Sequence, residues 1–351
     1  MIKMIKRKYN VKYCCDDICV FPSSTMLKYN DSKFCESFGL TAVSTYQLKT
    51  RDKEDEKNEQ KKKGKVFLFR LKQITNEDND TSEIDHLLIY EKDINFSSGV
   101  LQSNYLFTNE SLLLGSVCVN GFHLSHVKDG THHQIFATPD EKNNSGLSFD
   151  AFNSKPEKIC VSFSNGDMCF LVDGNEVQLW KAHEYHVWAC TFNGSENVVT
   201  TGSDDCSFII WDLRTANISQ INKRSHSQGV TAVKFEDRSH LLYTASYDNK
   251  IRTFDLRNIQ DPLQIVDVKS SIWRIKFLYK NEEANKLLVA ACDGGAQIFK
   301  KLNNEFVFKK GVSNDNELTY GIDAIDIWNK KKKKKIYFSC SFYNKEIQMW
   351  V

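Results

Sequence analysis

GSDDCSFIIWDLRT at residues 202–215 is answered by ASYDNKIRTFDLRN at residues 245–258, 43 residues further on. Each copy holds a turn Asp, a run of alternating polarity and a W/F-D-L-R ending. In both, the turn Asp stands six residues before the strand-ending aromatic: Asp205 before Trp211, and Asp248 before Phe254. The offset recurs from Asp293 to Phe299 and from Asn344 to Trp350. SFSNGDMCFLV (162–172) is a weaker copy, and LLLGSVCVNGFHLSHV (112–127) is weaker still. STYQL (44–48) and KVFLFRL (65–71) read as one more copy, split by an insertion. A second submotif precedes the phrase, as VWACTF (187–192), VTAVKF (230–235) and IWRIKF (272–277). Its period of two is that of a strand.

A phrase of this kind at a period of roughly 40–45 residues resembles the WD40 repeat. It predicts an all-β fold, a WD40 β-propeller of seven four-stranded blades that pack on one another around a central channel. The blades are expected near 14–72, 84–130, 147–180, 183–214, 226–257, 270–302 and 318–351. MIKMIKRKYNVKY, at the N-terminus, is expected to supply the strand that closes the ring. Residues 1–351 are read as a single propeller domain, with charged loop insertions near 51–65 and 328–335.

With 41% apolar residues the chain can bury a large core. Glycine and proline are scarce, so Asn, Asp and Ser must shape the turns. The net charge of +2 gives no bulk attraction to nucleic acid. RDKEDEKNEQKKKGK (51–65) and the run Lys330–Lys335 are read as solvated tracts between strands. The eleven cysteines form no CxxC pairs at zinc spacing. With no signal peptide and no long apolar run, a reduced cytoplasmic compartment, no membrane contact and a monomer are expected. No G-x-S-x-G, Walker loop, Rossmann fingerprint or H-E-x-x-H occurs, and no metal or organic cofactor is indicated. Motifs alone therefore favour a non-catalytic protein-interaction scaffold.

Other stretches point elsewhere. DDICVFP (16–22) before STYQL, KAHEYHVWACTFN (181–193) before TGSDD, and KRSHSQGV (223–230) before TASYDNKIRTFDLRN and SSIWRIKF are specific. So are LLVAACDGG (287–295), LTYGIDA (318–324) and CSFYNKEIQMW (340–350). Together they resemble the diphthine methyl ester hydrolases, WD-repeat proteins of diphthamide biosynthesis. The resemblance implies a carboxylic ester hydrolase that removes the methyl ester from methylated diphthine, a modified histidine of translation elongation factor 2. Two departures stand out. Asp293-Gly294-Gly295 follow Cys292 where a histidine is expected in relatives, and Phe254 replaces the usual Trp.

The WD40 resemblance also places side chains. The residues before the turn Asp are expected at the rim of the channel: Tyr46, Asp204, Tyr247, Cys292 and Tyr343. The second residues of the inner-strand submotif are expected to face the same opening: Asp17, Trp188, Thr231, Trp273 and Tyr320. Diphthine carries a trimethylammonium group, and aromatic faces attract such a cation by about 0.5–2 kcal/mol per well-placed ring. Trp188, Trp273, Tyr247, Tyr320 and Tyr343 are therefore candidates for a cation cage, with Asp17 or Asp204 as counter-charge. For the chemistry, Cys292 and Ser341 are candidate nucleophiles, and His183 and His226 candidate bases. Both histidines have a structural alternative, a buried hydrogen-bonded set within the repeat. His183, Ser203 or Thr201, Asp205 and Trp211 fit it; His226, Ser246 and Asp248 fit it without the Trp. That makes His226 the better catalytic candidate of the two.

Overall fold

The Cys14–Phe21 strand is buried on both faces. Its alternate residues serve two different cores: Ile18 and Val20 pack with Ile325 and Phe338, while Cys19 and Phe21 pack with Tyr105 and Leu114. A strand that is apolar on both faces needs a neighbour on each side, and a ring of sheets supplies both. The computed structural model describes residues 6–21, 39–47, 63–74, 85–140, 144–236, 239–280, 283–303, 305–312, 317–329 and 332–351. Among them the strands form seven four-stranded antiparallel sheets, a seven-bladed β-propeller.

Seven buried clusters fill the seven junctions between adjacent blades. Polar side chains on the inner strands add clasps across these junctions. Val20 N donates to Asp323 Oδ2 (3.0 Å), and Phe192 N and Thr191 Oγ1 donate to Asp150 Oδ2 (2.9 and 3.0 Å). Thr231 Oγ1 donates to the carbonyl of Ile272 (2.6 Å). The ring closes where Lys6–Asn10 pairs with Glu346–Trp350, so the N-terminal strand completes the blade built from the C-terminus.

Blade limits differ from the expected ones at the N-terminal side. DHLLIYEKDINF (Asp85–Phe96) was expected to open the second blade. It is the outer strand of the first, paired with Lys63–Ile74, and the second blade begins at Val100–Phe107. An outer strand packs on one side only, so its pattern lacks the double-sided apolar signature that marks an inner strand. The lysine run also differs: Lys332–Ser341 is a strand, and Lys335 reaches Asp326 across the ladder at 2.6 Å. Among the described side chains of the run, Lys334 is exposed and Lys335 is half-buried. Lys330, Lys331 and most of the 51–65 insertion lie outside the described residues.

The repeated phrase has a local cause at each end. In W-D-L-R, Asp212 Oδ1 accepts the Arg214 N–H (3.0 Å), and the Arg214 guanidinium forks onto the same carboxylate (2.9 and 2.5 Å). Asp255 and Arg257 repeat this turn. At the other end Asp205 accepts the Ser207 N–H (2.9 Å) and meets His183 Nδ1 (2.8 Å). His183 Nε2 and Trp211 Nε1 both meet Thr201 Oγ1, at 2.7 and 2.9 Å. Thr201, rather than Ser203, completes the buried set. The next blade departs from it. His226 Nε2 still meets Thr244 Oγ1 (2.8 Å), but Asp248 turns to Arg252 in a buried ion pair at 2.9 Å.

Candidate active site at the channel mouth

Six of the seven inner strands carry a register shift near their first residues, and each shift leaves one residue out of the pairing. Those bulged residues are Asp16, Leu101, Leu147, Trp188, Thr231 and Tyr320. A bulge re-aims a side chain, and here it turns one residue per blade into the mouth. Trp273, just ahead of the Arg274–Lys280 strand, holds the place of the seventh. Asp16, Leu101, Leu147, Trp188, Thr231 and Trp273 line one small throat together with Arg274. Below it opens a channel cavity of about 280 Å³ whose lining includes Asp17, Gln102, Lys276 and Asp323.

This register corrects one assignment. Asp17 was expected to match Trp188 and Tyr320, but the bulge falls one residue earlier and Asp16 holds that place. Asp17 pairs regularly with Ser44 and lines the channel below. Its Oδ1 accepts the Ile18 N–H (2.9 Å), and its buried Oδ2 has no partner among the described residues.

The aromatic candidates do converge. Trp188 meets Trp273 edge to face, with ring centres 5.2 Å apart, and Trp273 stacks on Tyr320 at 4.7 Å. Tyr247 flanks Trp273 at 6.1 Å. Phe342 extends the row, touching Tyr320 (5.2 Å), Tyr46 (5.1 Å) and Tyr343 (5.0 Å). His186 stacks on the outer side of Trp188 at 5.1 Å. Asp204 is tied into the row, since Trp188 Nε1 donates to its Oδ1 at 2.6 Å. Gly229 backs Asp204 and Tyr247 so closely that any Cβ there would collide with the carboxylate.

Charge is concentrated under these rings. Asp16 is buried, and burial pushes its carboxyl up to about 7; Arg274 pulls it down and Asp17 pushes it further up. Its link to Arg274 is long, 3.4 Å, because the guanidinium spends its good bond on the carbonyl of Leu101 (2.8 Å). Burial, then the charge of Asp16, raises the phenols of Tyr46 and Tyr320, so both stay protonated. Tyr247 is raised by burial and by Cys292. Trp273 Nε1 is buried without an acceptor among the described residues.

The three catalytic candidates fare differently. Cys292 lies beside Tyr247 and Tyr320, in a left-handed backbone conformation (φ 33°). Burial, then Asp293, pushes its thiol up to about 12, so it is held as a neutral thiol with little nucleophilic character. Ser341 is fully buried between Thr319 and Glu346, with no partner for its hydroxyl among the described residues. His226 packs against Phe208 and Phe254, and burial holds its pKa down to about 3. Its neighbours belong to the junction between two blades rather than to the row of rim rings.

Sequence reasoning missed Asp16, Arg274, Phe342 and His186. Three had a signal: Arg274 follows Trp273, His186 stands two residues before Trp188, and Phe342 lies inside CSFY. Asp16 had none, because a bulge leaves no mark in a strand pattern.

Residues 174–212 and 219–255 match the family model of the WD domain, G-beta repeat. Each match runs from the outer strand of one blade through three strands of the next, so the sequence repeat straddles the structural one. A Dictyostelium discoideum protein named diphthine methyltransferase homolog is 27% identical over 390 residues, spanning 100% of both chains. The mouse diphthine methyltransferase is 28% identical over 85% of this chain and 67% of its own. The human protein of that name is 32% identical over 39% of this chain and 32% of its own.

Proposed function

We propose that this protein, a WD-repeat chain similar over its whole length to a protein named diphthine methyltransferase homolog, works in diphthamide biosynthesis and that its step is hydrolysis of a carboxylic methyl ester. The substrate is methylated diphthine on translation elongation factor 2, and the products are the free carboxylate and methanol. The observation that carries the reading is the row Trp188–Trp273–Tyr320 at the channel mouth, with Asp204 bonded to its first ring. The ring faces that no neighbouring ring covers attract a trimethylammonium group, and a carboxylate in a partly dehydrated site adds attraction. Hydrolysis of an ester beside that cation needs a water, a base for its proton, and donors for the oxyanion. The mouth offers a carboxyl poised near neutral pH and the unpaired indole N–H of Trp273. No described helix is long and apolar enough to cross a membrane, and a cytoplasmic site of action fits a substrate that is a translation factor.

The relatives' names speak of methyl transfer, and the test separates the two directions. Elongation factor 2 carrying methylated diphthine is weighed intact before and after incubation with the protein. Ester hydrolysis lowers the mass by about 14 Da, one methylene by covalent arithmetic. A gain of about 14 Da on unmethylated substrate, with a sulfonium methyl donor added, would assign a transferase instead. No change with folded protein and verified substrate would leave the mouth as a protein-docking scaffold.

A further inference from the structure

Resting on that ester-hydrolase reading, we propose that Asp16 is the general base that activates the attacking water, with the Trp273 indole N–H as an oxyanion donor. Four observations converge on Asp16. It is the bulged residue of its strand, so its carboxylate points into the mouth where other blades place Trp188 and Tyr320. It borders a cavity of about 10 Å³ shared with Trp188, Thr231, Trp273 and Arg274, which is about what one water needs. Its hold on Arg274 is weak enough, at 3.4 Å, to leave the carboxylate available to a water. The channel of about 280 Å³, with Asp17, Gln102, Lys276 and Asp323 in its lining, adjoins it and shares Trp188, Thr231 and Arg274 with the throat.

That last feature gives the water a route. A substrate seated on the aromatic rim closes the mouth to bulk solvent, and the channel feeds the throat from below. In the first step Asp16 takes a proton from the water, whose oxygen bonds to the ester carbonyl carbon. The carbonyl π pair moves to oxygen, and the Trp273 N–H meets the oxyanion. In the second step that pair returns, the C–OCH₃ bond breaks, and Asp16 gives its proton to the departing methoxide. Methanol and the carboxylic acid result, and the acid loses its proton to solvent. The new carboxylate then faces Asp16 as a like charge, which favours release.

The groups facing Asp16 set the pH dependence. Arg274 of the sixth blade draws its pKa down, and Asp17 on its own strand raises it. Tyr46, Tyr247 and Tyr320 feel its charge from the first, fifth and seventh blades. The thiols Cys15 and Cys340 lie behind it, both pushed up by burial and neutral. With the carboxyl near 7, kcat/KM is expected to rise as pH passes through neutrality.

The experiment compares wild type with Asp16→Asn on elongation factor 2 carrying methylated diphthine, following methanol release from pH 5.5 to 9. Asp16→Asn is expected to lower kcat by about 10²–10⁴-fold, the usual share of a general base, and to lose the rise through neutrality. If the variant does not fold, Asp16→Glu replaces it: a lower kcat with the inflection retained supports the base. A raised KM with kcat and pH profile intact, in either variant, makes Asp16 a counter-charge and overturns the proposal. An active wild type with an equally active Asp16→Asn overturns the role alone. An inert wild type overturns the ester-hydrolase reading, and the role of Asp16 with it.

Discussion

The channel mouth and the belt of buried polar contacts inside the blades draw on the same residue types and treat them in opposite ways. In the belt, Thr201 Oγ1 meets His183 and Trp211, and Asp205 meets His183 and Ser207. At the mouth, among the described residues, the indole N–H of Trp273 is buried without an acceptor, and Asp16 meets the Arg274 guanidinium at a long 3.4 Å. A buried polar group left unpaired costs about 1–3 kcal/mol. The belt avoids that cost and stabilises; the mouth carries it, which is what a site awaiting a ligand does. The blade of His226 lies between the two, since its Nδ1 is also unpaired while its Asp248 is committed to Arg252.

Substitutions can break this contrast. The largest effect is expected in the belt. Asp248→Ala strands the buried Arg252 guanidinium and should cost about 3–5 kcal/mol of stability in urea unfolding, with kcat of the folded fraction unchanged. A loss under 1 kcal/mol would mean that Arg252 finds water instead. Thr201→Val should cost about 2–3 kcal/mol because it strands two groups, whereas Thr244→Val strands only His226 Nε2 and should cost about 1 kcal/mol. Equal losses would show that the two blades are wired alike. At the mouth the sign of the contrast reverses. Trp188→Ala with Trp273→Ala should weaken binding of modified substrate by about 2 kcal/mol, roughly 30-fold, by titration calorimetry. An unchanged affinity in folded protein would remove the cage.

The smallest effect is a pH slope. His226 has a folded pKa of about 3, below its ordinary 6.5, so the unfolded chain takes up the proton first as pH falls. Its contribution is intact above about 6.5 and drains toward pH 3, by at most about 1.4 kcal/mol per pH unit. Between pH 7 and 6 wild type should lose under about 1 kcal/mol more than His226→Phe. Parallel slopes in urea midpoints would mean that His226 is hydrated in the folded protein.

The same contrast explains what could be read from sequence. The belt is periodic, so Asp205 to Trp211 and Asp248 to Phe254 announced both the ring and the role of its turn residues. The aromatic mouth was legible too: Trp188, Trp273, Tyr247 and Tyr320 follow from their places in the repeat. The acidic residue was misplaced by one because pairing is decided between strands, and the shift between Cys15 and Asp17 depends on the partner strand. The replacement of Asp248's partner was hidden for a related reason. Arg252 lies in alternating sequence that looks like any strand, and only folding shows that it faces inward. The boundary between the first two blades failed because the 85–96 strand is half exposed and carries little of the inner-strand pattern.

The ring closes through its two ends, and that sets a timetable. Lys6–Asn10 leaves the ribosome long before its partner Glu346–Trp350 is made. At roughly 5–20 residues per second the first strand waits on the order of half a minute for its place. An unpaired strand edge invites the wrong neighbour, and natural sequences guard such edges with charge. The waiting segment reads KRKYN, three cations in five residues. One of them, Lys8, ends on Glu346 at 2.9 Å. Charge of the kind that guards an unpaired edge thus also supplies, through Lys8, a latch on the finished ring.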